Sequence, residues 1–139
     1  MKNILILLFA LTYLSVYAQS NNCGTATPIT VNATCNFTSG TTSGATASFT
    51  GCVGNADDDV WYSFTANNTQ QVITVSPSAG MDPVVQLFSG TCASLNSLYC
   101  QDDGFSGDQE VITATGLTVG TTYYVRVYNY WSGSGTGTF

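Results

Sequence analysis

The chain contains no histidine, and Lys2 and Arg126 are its only basic side chains. Without histidine, Ser-His-Asp and Cys-His catalysis and the common zinc sites are all excluded. Beyond Lys2 there is no lysine, which removes Schiff-base and Ser-Lys chemistry as well. One arginine set against eight carboxylates cannot neutralise a phosphate backbone, so nucleic acid is excluded as a partner. An anionic membrane surface is excluded by the same argument. Paired carboxylates are the remaining route to catalysis, but here they sit in loops with no apolar surround to raise one pKa. The expectation is a protein that is not an enzyme.

Long apolar runs are scarce too. One stretch, Ile4 to Leu14, follows Lys2 and precedes the small-residue site Val16-Tyr17-Ala18. That order reads as a secretory signal peptide over residues 1–18, too short to span a bilayer comfortably. No cysteine stands at the cleavage point, so a lipoprotein is not expected. Residues 19–139 suffice for one domain with one core, secreted or held at the cell surface. No membrane insertion is expected after cleavage.

Helical periodicity is missing from that domain. Short β-branched and aromatic runs alternate with Gly, Asn, Asp and Ser clusters, the pattern of an all-β fold. Strands are predicted at 29–31, 46–50, 60–65, 71–76, 84–88, 97–101, 110–115 and 122–130, with a further one beginning near Thr136. The fold class is an antiparallel β-sandwich, jelly-roll-like, with its last strand lost to truncation. Alternation sorts the faces: Val60, Tyr62 and Phe64 share one side of their strand, and Tyr123, Val125 and Val127 form the better core row of theirs. The opposite row, Tyr124, Arg126, Tyr128 and Tyr130, is expected as a solvent-facing aromatic ladder. Leu117 and Gly120 ahead of Tyr123 resemble a tyrosine corner, in which the phenol packs inside and its hydroxyl bonds back to the turn.

Five cysteines in an exported chain read as a disulfide framework rather than metal ligands. Local spacing predicts Cys92–Cys100, bracketing a hairpin, and Cys35–Cys52, flanking a Thr/Ser/Gly-rich stretch. Cys23 is then left over. The run Gly135 to Phe139 reads as the start of a strand, so a fragment whose continuation supplies a partner for Cys23 is expected.

One order of motifs is more specific. An acidic loop, Asp57-Asp58-Asp59, feeds the aromatic strand Val60-Trp61-Tyr62-Ser63-Phe64, and the cysteine-bracketed segment Cys92 to Cys100 ends in Asp102-Asp103. This order resembles the pre-peptidase C-terminal-like β-sandwich accessory domains of secreted bacterial proteins. The resemblance implies a module attached to secreted peptidases, glycosidases or adhesins, with other domains of a parent chain as neighbours.

Two candidate sites follow. Carboxylates gathered at strand-connecting loops suit Ca²⁺, a hard cation that takes six to eight oxygens, and the candidate ligands are Asp58, Asp59, Asp102 and Asp103. Trp131, between Tyr130 and a Ser/Gly run, is a candidate platform for stacking on a sugar ring, with Tyr128 and Tyr124 as companions. The expected function is a non-catalytic accessory module that binds extracellular polysaccharide or protein and is steadied by calcium. The alternative is a structural spacer with no ligand of its own.

Overall fold

A computed structural model describes residues 20–133 and 137–139; the leader at 1–18 and the start of the strand expected near Thr136 lie outside the described residues. Seven strands lie among the described residues: β1 (Thr27–Pro28), β2 (Val60–Thr65), β3 (Gln70–Val75), β4 (Pro83–Thr91), β5 (Ser94–Gln101), β6 (Glu110–Thr115) and β7 (Thr122–Asn129). Five form one sheet in the order β1-β2-β7-β4-β5, and β3 pairs with β6 in a second. Every pairing is antiparallel except the short β1–β2 contact. The fold is an all-β sandwich.

The alternation of β2 and β7 builds the core. Their register sets Val60 beside Val127, Tyr62 beside Val125 and Phe64 beside Tyr123. These side chains project inward with Val85 and Leu87 of β4 and meet Val75 of β3 and Ile112 and Ala114 of β6. Burial of each large apolar side chain contributes about 1.5–3 kcal/mol, which makes this contact the main source of stability. At the turn before β7, the Tyr123 hydroxyl accepts a 2.9 Å bond from the Thr118 amide while its ring packs inside. The tyrosine corner is formed.

Two expectations change. Residues 46–50 are not a strand; they belong to a loop lying across the outer face of the five-stranded sheet. The first strand is Thr27–Pro28, two residues ahead of the predicted 29–31, with the Ile29 amide continuing its pairing to the Ser63 carbonyl at 2.8 Å. Near the end of the chain, Thr138 bridges Thr41 and Phe139 exchanges two backbone hydrogen bonds with Gly40. Gly40 is required there, because a Cβ would lie 2.3 Å from the Tyr62 hydroxyl.

The disulfides are also redrawn. Cys23 pairs with Cys92, Cys52 pairs with Cys100, and Cys35 is an exposed free thiol. Cys92 precedes β5 and Cys100 stands near its far end. Eight residues at about 3.3 Å each separate them by roughly 26 Å, far beyond disulfide reach. Cys35 and Cys52 lie on opposite sides of the larger sheet. Cys35 lines the inner cleft with Tyr62 and Val125, whereas the Cys52 sulfur is 3.6 Å from the Tyr128 hydroxyl on the outer face. Cys23 therefore finds its partner within the chain.

Five strands face only two. The inner face near β1 and β2 is covered by the irregular segment 29–38 and Phe139, which leaves a cleft of about 570 Å³ lined by Val31, Tyr62, Ile73 and Val125.

Candidate functional site

All eight carboxylates stand at one end of the sandwich. β2 and β4 begin there, β5 and β7 end there, and β6 starts there, as the pairing of Val60 with Val127 and of Pro83 with Asn129 requires. Asp57 to Asp59 precede β2, Asp82 precedes β4, Asp102 and Asp103 follow β5, and Asp108 and Glu110 lead into β6. The opposite end, at residues 66–70, 91–94 and 116–121, carries no charge.

The three consecutive aspartates have three different environments. Asp59 turns to the outer face, where its Oδ2 accepts 2.8 Å from Arg126 Nε and also pairs with Arg126 Nη2. Its Oδ1 accepts from the Ser48 hydroxyl at 2.6 Å and from the Trp61 indole N–H at 3.2 Å. Asp58 is buried, accepts from the Asn129 amide at 3.1 Å and is hydrogen-bonded by the Thr42 side chain. Burial raises its pKa above the ordinary carboxylate value, reinforced by the charges of Asp57 and Asp59. Asp57 accepts from the Gly133 amide at 3.0 Å through Oδ2, and its Oδ1 has no hydrogen-bond partner among the described residues.

The fourth group lies across the end from them. Glu110 is buried and accepts from the amides of Asp103 and Gly104, the latter at 2.7 Å. Asp103 is exposed and accepts 2.6 Å from the Gln101 amide group. Burial raises the pKa of Asp102, and the charges of Asp82, Glu110 and Asp103 add to the shift. Asp82 is only 7 % exposed, and its Oδ1 has no partner among the described residues.

The four carboxylates expected to hold calcium are therefore dispersed. Asp59 is committed to Arg126 and Asp58 to Asn129, while Asp102 and Asp103 belong to the turn after β5. Among the described residues, no three His, Cys, Asp or Glu side chains come together in a way that could hold a metal ion.

The row expected to face solvent is a second, covered core. Arg126 and Tyr128 are fully buried and Tyr124 is half-buried. The guanidinium sits 4.3 Å from the Phe49 ring centroid, 5.1 Å from Tyr128 and 5.7 Å from Trp61. It donates to the carbonyls of Phe49 and Thr50 and to Gln86 Oε1. The loop carrying Phe49 is held down by Cys52–Cys100 and by the Tyr128 hydroxyl, which donates 2.7 Å to the Val53 carbonyl. Tyr128 is therefore closed to a ligand. Tyr124 packs beside Cys23, Trp61 and Phe88.

Trp131 differs from both. It is 62 % exposed and meets Tyr130 edge-on, with ring centroids 4.9 Å apart. Tyr130 is fixed by main-chain bonds: its amide donates to the Asp82 carbonyl at 2.8 Å, and its carbonyl accepts from the Asn55 amide at 2.9 Å. Gly54 packs so closely that a Cβ would lie 2.7 Å from the Tyr130 ring. The result is an exposed indole on a rigid base, beside Asp57 and at the acidic end. Asp57 was grouped with its neighbours in the sequence and set apart from them only by the fold; nothing in a run of three aspartates marks the first.

No helix among the described residues is long and apolar enough to cross a membrane. Comparison with curated proteins and with solved structures returns no significant match. A family model does match, over residues 19–139. The resemblance to pre-peptidase C-terminal domains holds at the level of a β-sandwich accessory domain and not at the level of that particular family. The chain belongs to the T9SS-associated galactose binding domain-like family.

Proposed function

We propose that this protein is a glycan-binding accessory module of a secreted or surface protein, and that it meets its ligand at the Trp131 corner. Galactose binding domain-like accessory domains are generally non-catalytic, in keeping with a chain that has no histidine and, beyond residue 2, no lysine. The observation that carries the reading is Trp131 itself, a large ring left open to solvent on a base that is locked in place. A pyranose ring stacks on such a face through its C–H groups, while Asp57 Oδ2, at the exposed Gly133 contact, is an acceptor for sugar hydroxyls. Tyr128 and Tyr124 take no part, being engaged in the covered face.

The two tryptophans make the test direct. Trp61 is buried and Trp131 is exposed, so iodide quenching reports on Trp131. A glycan from a panel of extracellular polysaccharides should protect the indole from iodide, and Trp131→Ala should abolish retention of the protein on that polysaccharide while leaving its melting temperature nearly unchanged. Failure to retain any glycan would overturn this reading in favour of a spacer.

A further inference from the structure

We infer that the ligand end is a charge filter, which takes uncharged glycans and excludes those bearing uronate or sulfate groups; this rests on the Trp131 reading above. Eight carboxylates share this end, and the single guanidinium among the described residues is fully buried in its pair with Asp59. No exposed cation is therefore available among the described residues to receive an anionic sugar.

Two of these carboxylates, Asp82 and Asp57, also keep a buried oxygen without a partner among the described residues. Asp82, more than nine-tenths buried, holds Oδ1 without a partner among the described residues, and its backbone carbonyl anchors Tyr130, whose ring meets Trp131 edge-on. Asp57 Oδ1 is buried and likewise without a partner among the described residues, while its Oδ2 holds the Gly133 amide just after Trp131. Burial first, and then the like charges of Asp82, Glu110 and Asp103, raise the pKa of Asp102, which shows how closely carboxylates are gathered at this end. An approaching carboxylate or sulfate meets this field with no counter-charge, and juxtaposed like charges oppose binding strongly at low salt. A neutral ring carries no charge for this field to oppose, and its hydroxyls can donate to carboxylate oxygens.

The Debye length is about 8 Å at physiological ionic strength and longer in dilute buffer, so the exclusion should be steepest at low salt. Polygalacturonate and its fully methyl-esterified form share one backbone and differ in charge, and galactan is a neutral galactose polymer to set beside them. They are presented to the purified protein alongside a wider panel of neutral, uronate-bearing and sulfated polysaccharides, at low and at high salt. Binding should be confined to neutral members, and esterification should raise affinity by about tenfold or more over the free acid at low salt, with the gap narrowing as salt rises. Asp103→Asn with Asp108→Asn removes two exposed charges while retaining an acceptor oxygen at each, and should narrow the same gap. Any anionic glycan bound at low salt as tightly as the tightest neutral one would overturn the filter and leave the glycan-binding reading standing. Binding to no member of the panel would overturn that reading itself.

Discussion

Asp59 and Arg126 form a fully buried ion pair on the outer face of the larger sheet, beneath the loop that carries Phe49. Trp61 and Arg126 are register partners on β2 and β7, so the strand pairing itself delivers the guanidinium to the carboxylate two residues upstream of Trp61. Phe49, Trp61 and Phe88 enclose the pair, with ring centroids 5.5–6.0 Å apart. Removing one partner leaves an unpaired charge where water does not reach.

Arg126→Met should therefore cost about 3–5 kcal/mol, the range for a broken buried pair, with the orphaned carbonyls of Phe49 and Thr50 adding to the loss. Replacing both partners, Asp59→Leu with Arg126→Met, should recover much of it. Urea unfolding of the three proteins measures both quantities. A single substitution costing under 1 kcal/mol would show that the pair is open to solvent.

Non-reducing peptide mapping should recover Cys23 linked to Cys92 and Cys52 linked to Cys100, with alkylation of native protein confined to Cys35. Loop closure over these separations stabilises by about 4 kcal/mol each in the chain-entropy description. Cys52→Ser with Cys100→Ser should lower stability and also release the loop over Tyr128, seen as new solvent access to that phenol. A Cys92–Cys100 peptide would contradict the strand geometry outright.

The pH dependence follows from Asp58 and Asp102, both raised in pKa first by burial and then by neighbouring charge. A carboxyl whose folded pKa exceeds its unfolded value favours the folded state below the unfolded pKa, and that contribution is lost as pH rises through the folded pKa. Their contribution to stability should thus increase as the solution is acidified from neutrality toward the ordinary carboxylate range. Asp102→Asn should raise the melting temperature at pH 7 and flatten the profile between neutrality and the ordinary carboxylate range. An unchanged profile in that variant would remove Asp102 from the account.

Tyr62 carries a buried hydroxyl with no hydrogen-bond partner among the described residues, and burial pushes its pKa up to about 12. An unsatisfied buried hydroxyl costs about 1–3 kcal/mol. Tyr62→Phe should be neutral to stabilising by about 1 kcal/mol, measured by chemical denaturation. A loss of stability instead would reveal a partner for the hydroxyl in the cleft.

The sequence was most informative where structure is local. Strands β2, β4, β6 and β7 follow from short runs of β-branched and aromatic residues; in β6 burial alternates as in a half-buried strand, whereas β4 is a continuous run buried on both faces. The tyrosine corner was legible for the same reason: Leu117, Gly120 and Tyr123 are near neighbours in the chain. Arg126 shows where that logic stops. Its row alternates polar and aromatic residues as a solvent-facing row would, and it is buried only because residues 48–55 return across it, some 75 residues away in sequence. The cysteines mislead in the same way. Pairing by spacing treats the chain as flexible between them, but β5 holds Cys92 and Cys100 rigidly apart. Within Asp57-Asp58-Asp59, adjacent side chains were divided among a loop, a buried backbone amide and a guanidinium by elements that no local pattern names.

The crossed disulfides also set how the molecule would carry mechanical load. A pull applied at the first described residues passes through Cys23 into Cys92, at the tip of the β4–β5 hairpin, and bypasses the 69-residue span between them. That span hides roughly 230 Å of contour at about 3.4 Å per residue. Cys52–Cys100 overlaps it, so the larger sheet cannot be drawn out strand by strand from that side. Under shear, the segment around Cys23 would act as a short tether into a locked sheet, and reducing conditions would turn the same segment into a long extensible one.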